Sequence, residues 1–133
     1  MFTTEFEIRS SHKVLYPYMS TAAGLEQWFA EKVTILPDGR FDFQWDGESH
    51  PAERTSHRLN KSVRFEFLEN GINGKNADDS SEKNYVEMKL EMSDLTQSTF
   101  LRVVDYSQNM DEDELSAVWG GLIDSLKEIV GSS

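Results

Sequence analysis

Alternating apolar and polar residues run through the middle of the chain and predict a series of strands. Segments with this period-two pattern, or with many β-branched and aromatic residues, are 31–36, 40–45, 48–59, 62–69, 84–92 and 97–106; an earlier one is 6–9. Short turn sequences separate the later strands at 37–39, 46–47, 60–61 and 94–95. The pattern therefore predicts an antiparallel meander of six strands, preceded by one strand near the start of the chain.

Two short helices are predicted between the first strand and the meander. Ser10 or Ser11 can cap a helix over 12–19, which Pro17 must kink or shorten, and Ser20 can cap a second helix that ends near residue 28. Trp28 and Phe29 stand where this helix gives way to the next strand. Because adjacent residues entering a strand point to opposite sides, we expect one ring to fill the interior and the other to cover the helix pair.

A long amphipathic helix is predicted at the end of the chain, over 111–130. Asp111 and Glu114 have the spacing of a capping box, so the acidic run 111–114 has a structural role at the helix start. Gly120 and Gly121 interrupt its apolar stripe and cost about 1–2 kcal/mol of helix propensity. This cost indicates that another group approaches the helix closely at the two glycines.

The predicted turns also set the registers of the hairpins. A two-residue turn at 46–47 pairs Phe43 with His50, and one at 60–61 pairs Phe65 with Ser56 and Phe67 with Arg54. The other two turns pair Val33 with Phe43, Ile35 with Phe41, Leu90 with Thr99, Met88 with Leu101 and Val86 with Val103. The inner face is then aromatic and aliphatic, with His50, Ala52, Arg54 and Ser56 among these side chains.

Polar side chains on an inner face favour a partly wet cavity, because an unpaired buried polar group costs several kcal/mol. The alternative is that residues 48–59 run along an open edge, where His50 and Arg54 reach solvent; Pro51 and the local charge favour that interpretation. A single bulge would also change the face.

The composition excludes several classes of function. The formal net charge of −11 would repel a phosphate backbone, so we expect no nucleic-acid partner. The absence of cysteine excludes disulfides and thiolate chemistry. No apolar run approaches the length of a membrane span, and the first residues lack the features of a signal peptide, so we expect a cytoplasmic protein without membrane insertion. Residues 69–83, rich in Gly, Asn, Asp and Ser, predict a long flexible loop.

The order of elements resembles the helix-grip superfamily, also called START-like, SRPBCC or Bet v 1-like. Within it, the chain is similar to the branch named after the activators of the Hsp90 ATPase. The similar segments are VLYPYMSTAAGLEQWF (14–29), FDFQWDG (41–47), VRFEFLE (63–69), STFLRVVDY (98–106) and LSAVWGGLIDSLKEIV (115–130). The resemblance implies a single α+β domain over 1–133, in which a curved antiparallel sheet of about seven strands wraps around the long C-terminal helix. It also implies a cavity between sheet and helix that accepts lipids, sterols, polyketides or other apolar molecules.

These observations predict a binding module for a small apolar or amphipathic molecule, with no cofactor. Its candidate lining residues are Trp28, Phe43, Trp45, His50, Arg54, Ser56, Phe65, Phe67, Met88, Leu101, Trp119 and Ile123. Arg54 is the residue expected to pair with an anionic head group, because its guanidinium matches a carboxylate or phosphate. A chaperone or another protein partner, attracted by the acidic surface, is the alternative.

Catalysis is the third hypothesis, and it depends on His50. With Arg54 and Glu48 it forms the one convergent set that could act as an acid–base group beside an anion clamp, as in a cyclase or hydrolase. His12 belongs to a helix start and His57 is predicted to face outward. No spacing of a catalytic triad or of metal ligands is present, so we expect neither a fixed catalytic residue nor a metal.

Overall fold

The structure is a computed structural model that describes residues 2–68, 84–93, 95, 98–106 and 111–131. The predicted loop at 69–83 and Asp94 of the predicted turn lie outside these residues. The elements in chain order are β1 (Phe2–Ile8), α1 (His12–Ser20), α2 (Ala22–Trp28), β2 (Lys32–Ile35), β3 (Phe41–Trp45), β4 (Glu48–Arg58), β5 (Ser62–Phe67), β6 (Tyr85–Met92), β7 (Thr99–Tyr106) and α3 (Glu112–Val130).

The described strands form one antiparallel sheet in the order β1-β7-β6-β5-β4-β3-β2. The predicted meander from β2 to β7 is confirmed, and β1 adds to its β7 edge. Strand β4 pairs with β3 on one side and β5 on the other. The alternative that residues 48–59 run along an open edge is therefore wrong.

The helix pair α1–α2 is held together by a very close approach. Ser11 caps α1 as predicted, whereas α2 is capped by Thr21 rather than Ser20, with the Thr21 hydroxyl accepting from the Gly24 amide. A Cβ on Gly24 would lie 2.7 Å from the Tyr18 Cα and closer still to the Pro17 carbonyl oxygen. A glycine is therefore required where α2 crosses α1.

Helix α3 begins with the predicted capping box, in which Asp111 and Glu114 each bond the other's backbone amide. Its buried residues are Leu115, Trp119, Ile123 and Leu126, which lie on one face at helical spacing. The prediction of a close approach at the glycine pair is wrong, because a Cβ on Gly120 or Gly121 would meet no described atom within 4 Å. None of the described helices is long and apolar enough to cross a membrane.

Two predicted hairpin registers are confirmed. Phe43 pairs with His50 across the Asp46-Gly47 turn, where both turn residues have positive φ, as a two-residue hairpin requires. On the other side of β3, Val33 pairs with Phe43 and Ile35 with Phe41. The inward position of the β3 aromatics therefore follows from the turns alone.

The predicted register between β4 and β5 is wrong in detail. Three residues, 59–61, connect the strands instead of two, and Asn60 at their centre has a positive φ of 61°. His57 then pairs with Val63 and Ser56 with Arg64, until a bulge at Thr55 restores an inward Arg54 opposite Phe65. Ser56 is thus on the outer face, and His57 rather than Ser56 shares the face of buried Val63.

The register between β6 and β7 differs from the prediction by two residues. Leu90 pairs with Leu101 and Met88 with Val103, because the connection from Met92 to Thr99 is longer than a two-residue turn. A shift of two keeps every side chain on its face, since the side-chain period of a strand is two. The predicted inner face of β6 and β7 is consequently correct, although the predicted partners are not.

A candidate site at the aromatic inner face

Aromatic rings from β3, β5, the α2 end and α3 pack together on the inner face of the sheet. Phe43 lies at their centre, with ring centroids 5.4 Å from Phe29 and 5.3 Å from Phe65. Trp119 of α3 lies 5.7 Å from Phe29 and so joins the helix to this cluster. Ring pairs at these separations favour tilted or edge-to-face packing, which most of these pairs adopt.

Trp28 and Phe29 take the two predicted positions, one ring in the interior and one over the helix pair. They do so at the end of a helix rather than at the start of a strand. Phe29 has helical backbone angles after α2, and its ring enters the aromatic cluster. The Trp28 indole instead donates to the Tyr18 carbonyl of α1 at 2.8 Å, so it covers the helix pair. Both side chains are buried.

The other two indoles also have internal acceptors. Trp45 donates to the Phe29 carbonyl at 2.8 Å, and Trp119 donates to the Asp105 carboxylate at 2.7 Å. Asp105 is buried on the inner face of β7, where its register partner is Val86. An indole N–H beside a buried carboxylate offsets part of the cost of removing that charge from water.

The aromatic cluster reaches solvent at one end of the sheet, through three half-buried side chains. We call Trp45, His50 and Phe67 the aromatic mouth. The Trp45 ring lies 5.4 Å from His50 and 6.2 Å from Phe67, and Phe67 lies 5.8 Å from Phe43 of the interior. The His50 Nε2 atom lies 3.8 Å from the exposed carboxylate of Glu48. The mouth therefore combines apolar rings with one titratable group at its rim.

Arg54 lies on the inner face beside the end of α1, where it has a structural contact. Its guanidinium donates to the Ser20 carbonyl at 2.8 Å and lies 5.4 Å from the Phe41 ring centroid. Nearby, Tyr16 donates to the Ser62 carbonyl at 3.0 Å. Burial raises the pKa of Tyr16, and Arg54 lowers it by a smaller amount, so the phenol stays protonated as a donor at neutral pH.

The predicted lining residues fall into three groups. Seven are buried in the packed interior: Trp28, Phe43, Phe65, Met88, Leu101, Trp119 and Ile123. Four are half-buried on the inner face: Trp45, His50, Arg54 and Phe67. Ser56 is exposed on the outer face, because the three-residue connection and the bulge change its register; its assignment to the inner face is wrong.

Two inner-face residues were not predicted as part of this site. The sequence predicts that one of Trp28 and Phe29 fills the interior, without saying which. In the structure it is Phe29, whose ring contacts Phe43, Trp45 and Trp119. Asp105 continues the inward alternation of Leu101 and Val103, so period-two counting along β7 could have found it. Within the described residues, no three His, Asp or Glu side chains are grouped to hold a metal ion.

An antiparallel sheet that packs its aromatic face against a long C-terminal helix defines the class of helix-grip proteins. The START-like superfamily domain model matches residues 1–132, and the chain belongs to this superfamily. Its members typically bind hydrophobic ligands.

Solved structures share this fold at low sequence identity. The Aha1 dimer from Colwellia psychrerythraea is 18% identical with a TM-score of 0.72, over 97% of this chain and 94% of that one. A protein from Mesorhizobium loti is 14% identical with a TM-score of 0.68, over 97% and 95% of the two chains. One from Bacteroides fragilis is 28% identical with a TM-score of 0.57, over 96% and 89%. No curated protein matches the sequence significantly.

Proposed function

We propose that this protein binds a small apolar or amphipathic molecule between the sheet and α3, through the aromatic mouth. The observation that carries the proposal is the half-buried set Trp45, His50 and Phe67, which continues into the buried aromatic cluster. Large aromatic side chains with few polar groups line ligand pockets in general. Membership of a superfamily that typically binds hydrophobic ligands supports the same function.

Binding requires rings of the mouth to move, because buried side chains occupy the interior behind them. Trp45 and Phe67 pack against the core without being enclosed by it, so their rotation breaks fewer contacts than movement of Phe43 would. A ligand that enters at Trp45 and Phe67 would thus exchange protein–protein apolar contacts for protein–ligand contacts.

Native mass spectrometry of the protein purified from cells tests the proposal directly. We expect a fraction of the protein to carry an apolar molecule of defined mass, and delipidated protein to bind an apolar dye with saturation. Phe67→Ser should reduce dye binding at least about tenfold, since a polar side chain then stands in the mouth. Ile35→Ser is the control, because Ile35 is half exposed at the end of β2 that lies away from the mouth. Absence of both a copurified ligand and saturable dye binding would refute the function.

Arg54 is the proposed partner of an anionic head group, although one of its N–H groups already bonds Ser20. His50 and Arg54 are four residues apart, about 13 Å along a strand, a separation that an alkyl chain in the mouth can span. We expect Arg54→Ala to weaken lauric acid binding about tenfold, or about 1.4 kcal/mol, and to leave dodecanol binding unchanged. Isothermal titration calorimetry of both ligands measures this difference.

The matched control for Arg54→Ala is Arg40→Ala, which removes the same side chain from an exposed position just before β3. This variant should bind both ligands as the parent protein does. If Arg54→Ala lowers the affinities for lauric acid and dodecanol equally, or lowers neither, then Arg54 holds α1 in place and does not bind a head group.

A further inference from the structure

A groove of about 640 Å³ lies at the end of the sheet where β4 turns into β5, away from the aromatic mouth. Its lining includes four cations, Arg58, Lys61, Lys89 and Arg102. Arg58 and Lys61 lie at the β4–β5 connection, Lys89 on β6 and Arg102 on β7, so three separate segments of the sequence supply them. The fold brings them together on a protein whose formal net charge is −11.

Three of these cations occupy one row across the outer face of the sheet. Arg102 pairs with Lys89, Lys89 pairs with Ser62, and Ser62 pairs with Arg58. Side chains directly opposite each other on neighbouring strands are about 4.5–5.5 Å apart at Cβ, and like charges there are destabilising. The row therefore places Lys89 and Arg102 in direct opposition, and Arg58 two strands from Lys89, with Ser62 of β5 between them.

Within the described part of the chain, no ion pair joins Arg58, Lys61, Lys89 or Arg102 to an acidic side chain. Glu87 and Glu91 line the groove on either side of Lys89 along β6, and Glu5 stands beyond Arg102 in the row. The Ser62 position, by contrast, has a cation directly opposite on each neighbouring strand, Lys89 on β6 and Arg58 on β4.

We propose that this groove binds the phosphoryl group of a small ligand over Ser62, between Lys89 and Arg58. Arg58 and Lys89 are the two neighbours of Ser62 across the sheet, Arg102 lies beyond Lys89, and the Ser62 hydroxyl is on the same face as a further donor. The volume is in the range of small-molecule sites, roughly 300–1,000 Å³. The flanking Glu87 and Glu91 would repel an extended polyanion, which favours a ligand with one localised anionic group.

The test compares two double variants that remove one lysine and one arginine each. Calorimetric titration with pyrophosphate at low ionic strength should show saturable binding that added salt weakens. Arg58→Gln/Lys89→Gln should weaken it at least about tenfold. Lys32→Gln/Arg40→Gln, which makes the same change of net charge on β2 and before β3, should leave it within about twofold. The proposal would be overturned if both double variants lost the same affinity for pyrophosphate. It would also be overturned if the parent protein bound neither pyrophosphate nor phosphatidylglycerol vesicles.

Two further measurements separate folding from binding and identify the source of the phosphoryl group. Without ligand, the Arg58→Gln/Lys89→Gln protein should have a melting temperature no lower than that of the parent, because the substitution removes like-charge neighbours. A lower melting temperature together with lost binding would indicate a structural role for these residues and overturn the proposal. Cosedimentation with phosphatidylglycerol vesicles, but not with phosphatidylcholine vesicles, would assign the group to a lipid. Pyrophosphate binding without cosedimentation would assign it to a soluble compound.

Discussion

Gly24→Ala should destabilise the protein by about 3 kcal/mol or more, although alanine is the better helix former. The added Cβ would lie 2.7 Å from the Tyr18 Cα and 2.8 Å from the Pro17 carbonyl carbon, both of which are backbone atoms. The Pro17 carbonyl is itself fixed by the Thr21 amide and hydroxyl. Helix α2 must therefore move away from α1, and the movement also strains the bond from Trp28 to the Tyr18 carbonyl.

Chemical denaturation measures this loss, and Gly120→Ala is its matched control. The same substitution in α3 adds a Cβ with no described atom within 4 Å, so it should stabilise the protein by about 0.5–1 kcal/mol. The opposite signs of the two effects distinguish a steric requirement from helix propensity. A Gly24→Ala protein as stable as the parent would show that α1 and α2 are not packed as closely as described.

Trp119→Phe should cost about 3 kcal/mol, more than the lost ring volume alone would suggest. The substitution removes the indole N–H that donates to the buried Asp105 carboxylate at 2.7 Å. A buried carboxylate that loses a donor keeps its desolvation cost without that compensation. It also removes part of the ring surface that joins α3 to Phe29.

A double-mutant cycle with Asp105→Leu isolates the polar part of this effect. The double variant Trp119→Phe/Asp105→Leu should be less destabilised than the sum of the two single variants, because it removes donor and acceptor together. Urea denaturation of the four proteins gives the coupling energy, which we expect to exceed about 1 kcal/mol. Strict additivity would indicate that the Trp119–Asp105 hydrogen bond contributes nothing to stability.

The sequence was sufficient for the strands and helices and for most of the inner face, because these depend on local patterns. The Asp46-Gly47 turn fixes the β3–β4 register, and period-two alternation survives an error of two residues between β6 and β7. The 60–61 turn shows the limit of this reasoning. One extra residue in the connection and one bulge at Thr55 exchange the faces of Ser56 and His57, and neither has a clear local signal.

Long-range contacts explain the other differences between prediction and structure. The helix-propensity argument selects Gly120 and Gly121, which have space around them, whereas Gly24 has no space for a Cβ. Its requirement depends on the distance between two helices and not on the helix that contains it. The cation row has the same origin, since Arg58, Lys89 and Arg102 become neighbours through strand pairing alone.

The sequence predicts two roles for the acidic residues 111–114: they cap a helix, and they add to an acidic surface that attracts a protein partner. The capping box confirms the first through bonds of Asp111 and Glu114. That role accounts for Asp111 and Glu114 but not for the exposed Glu112 and Asp113, and the interaction with a protein partner stays a prediction. The likeness to the Aha1 dimer, at 18% identity, is a likeness of fold.

The indole N–H signals of the three tryptophans test the proposed ligand site most directly. In a ¹H–¹⁵N correlation spectrum, titration with lauric acid below its micelle concentration should shift the Trp45 indole signal saturably, because Trp45 stands in the mouth and bonds the Phe29 carbonyl. The Trp28 signal should move less, since that indole bonds the Tyr18 carbonyl between the two short helices. Pyrophosphate should instead move the amide signals of Ser62 and Lys89. If lauric acid leaves the Trp45 and Trp119 indole signals unchanged, the proposed binding between the sheet and α3 is contradicted.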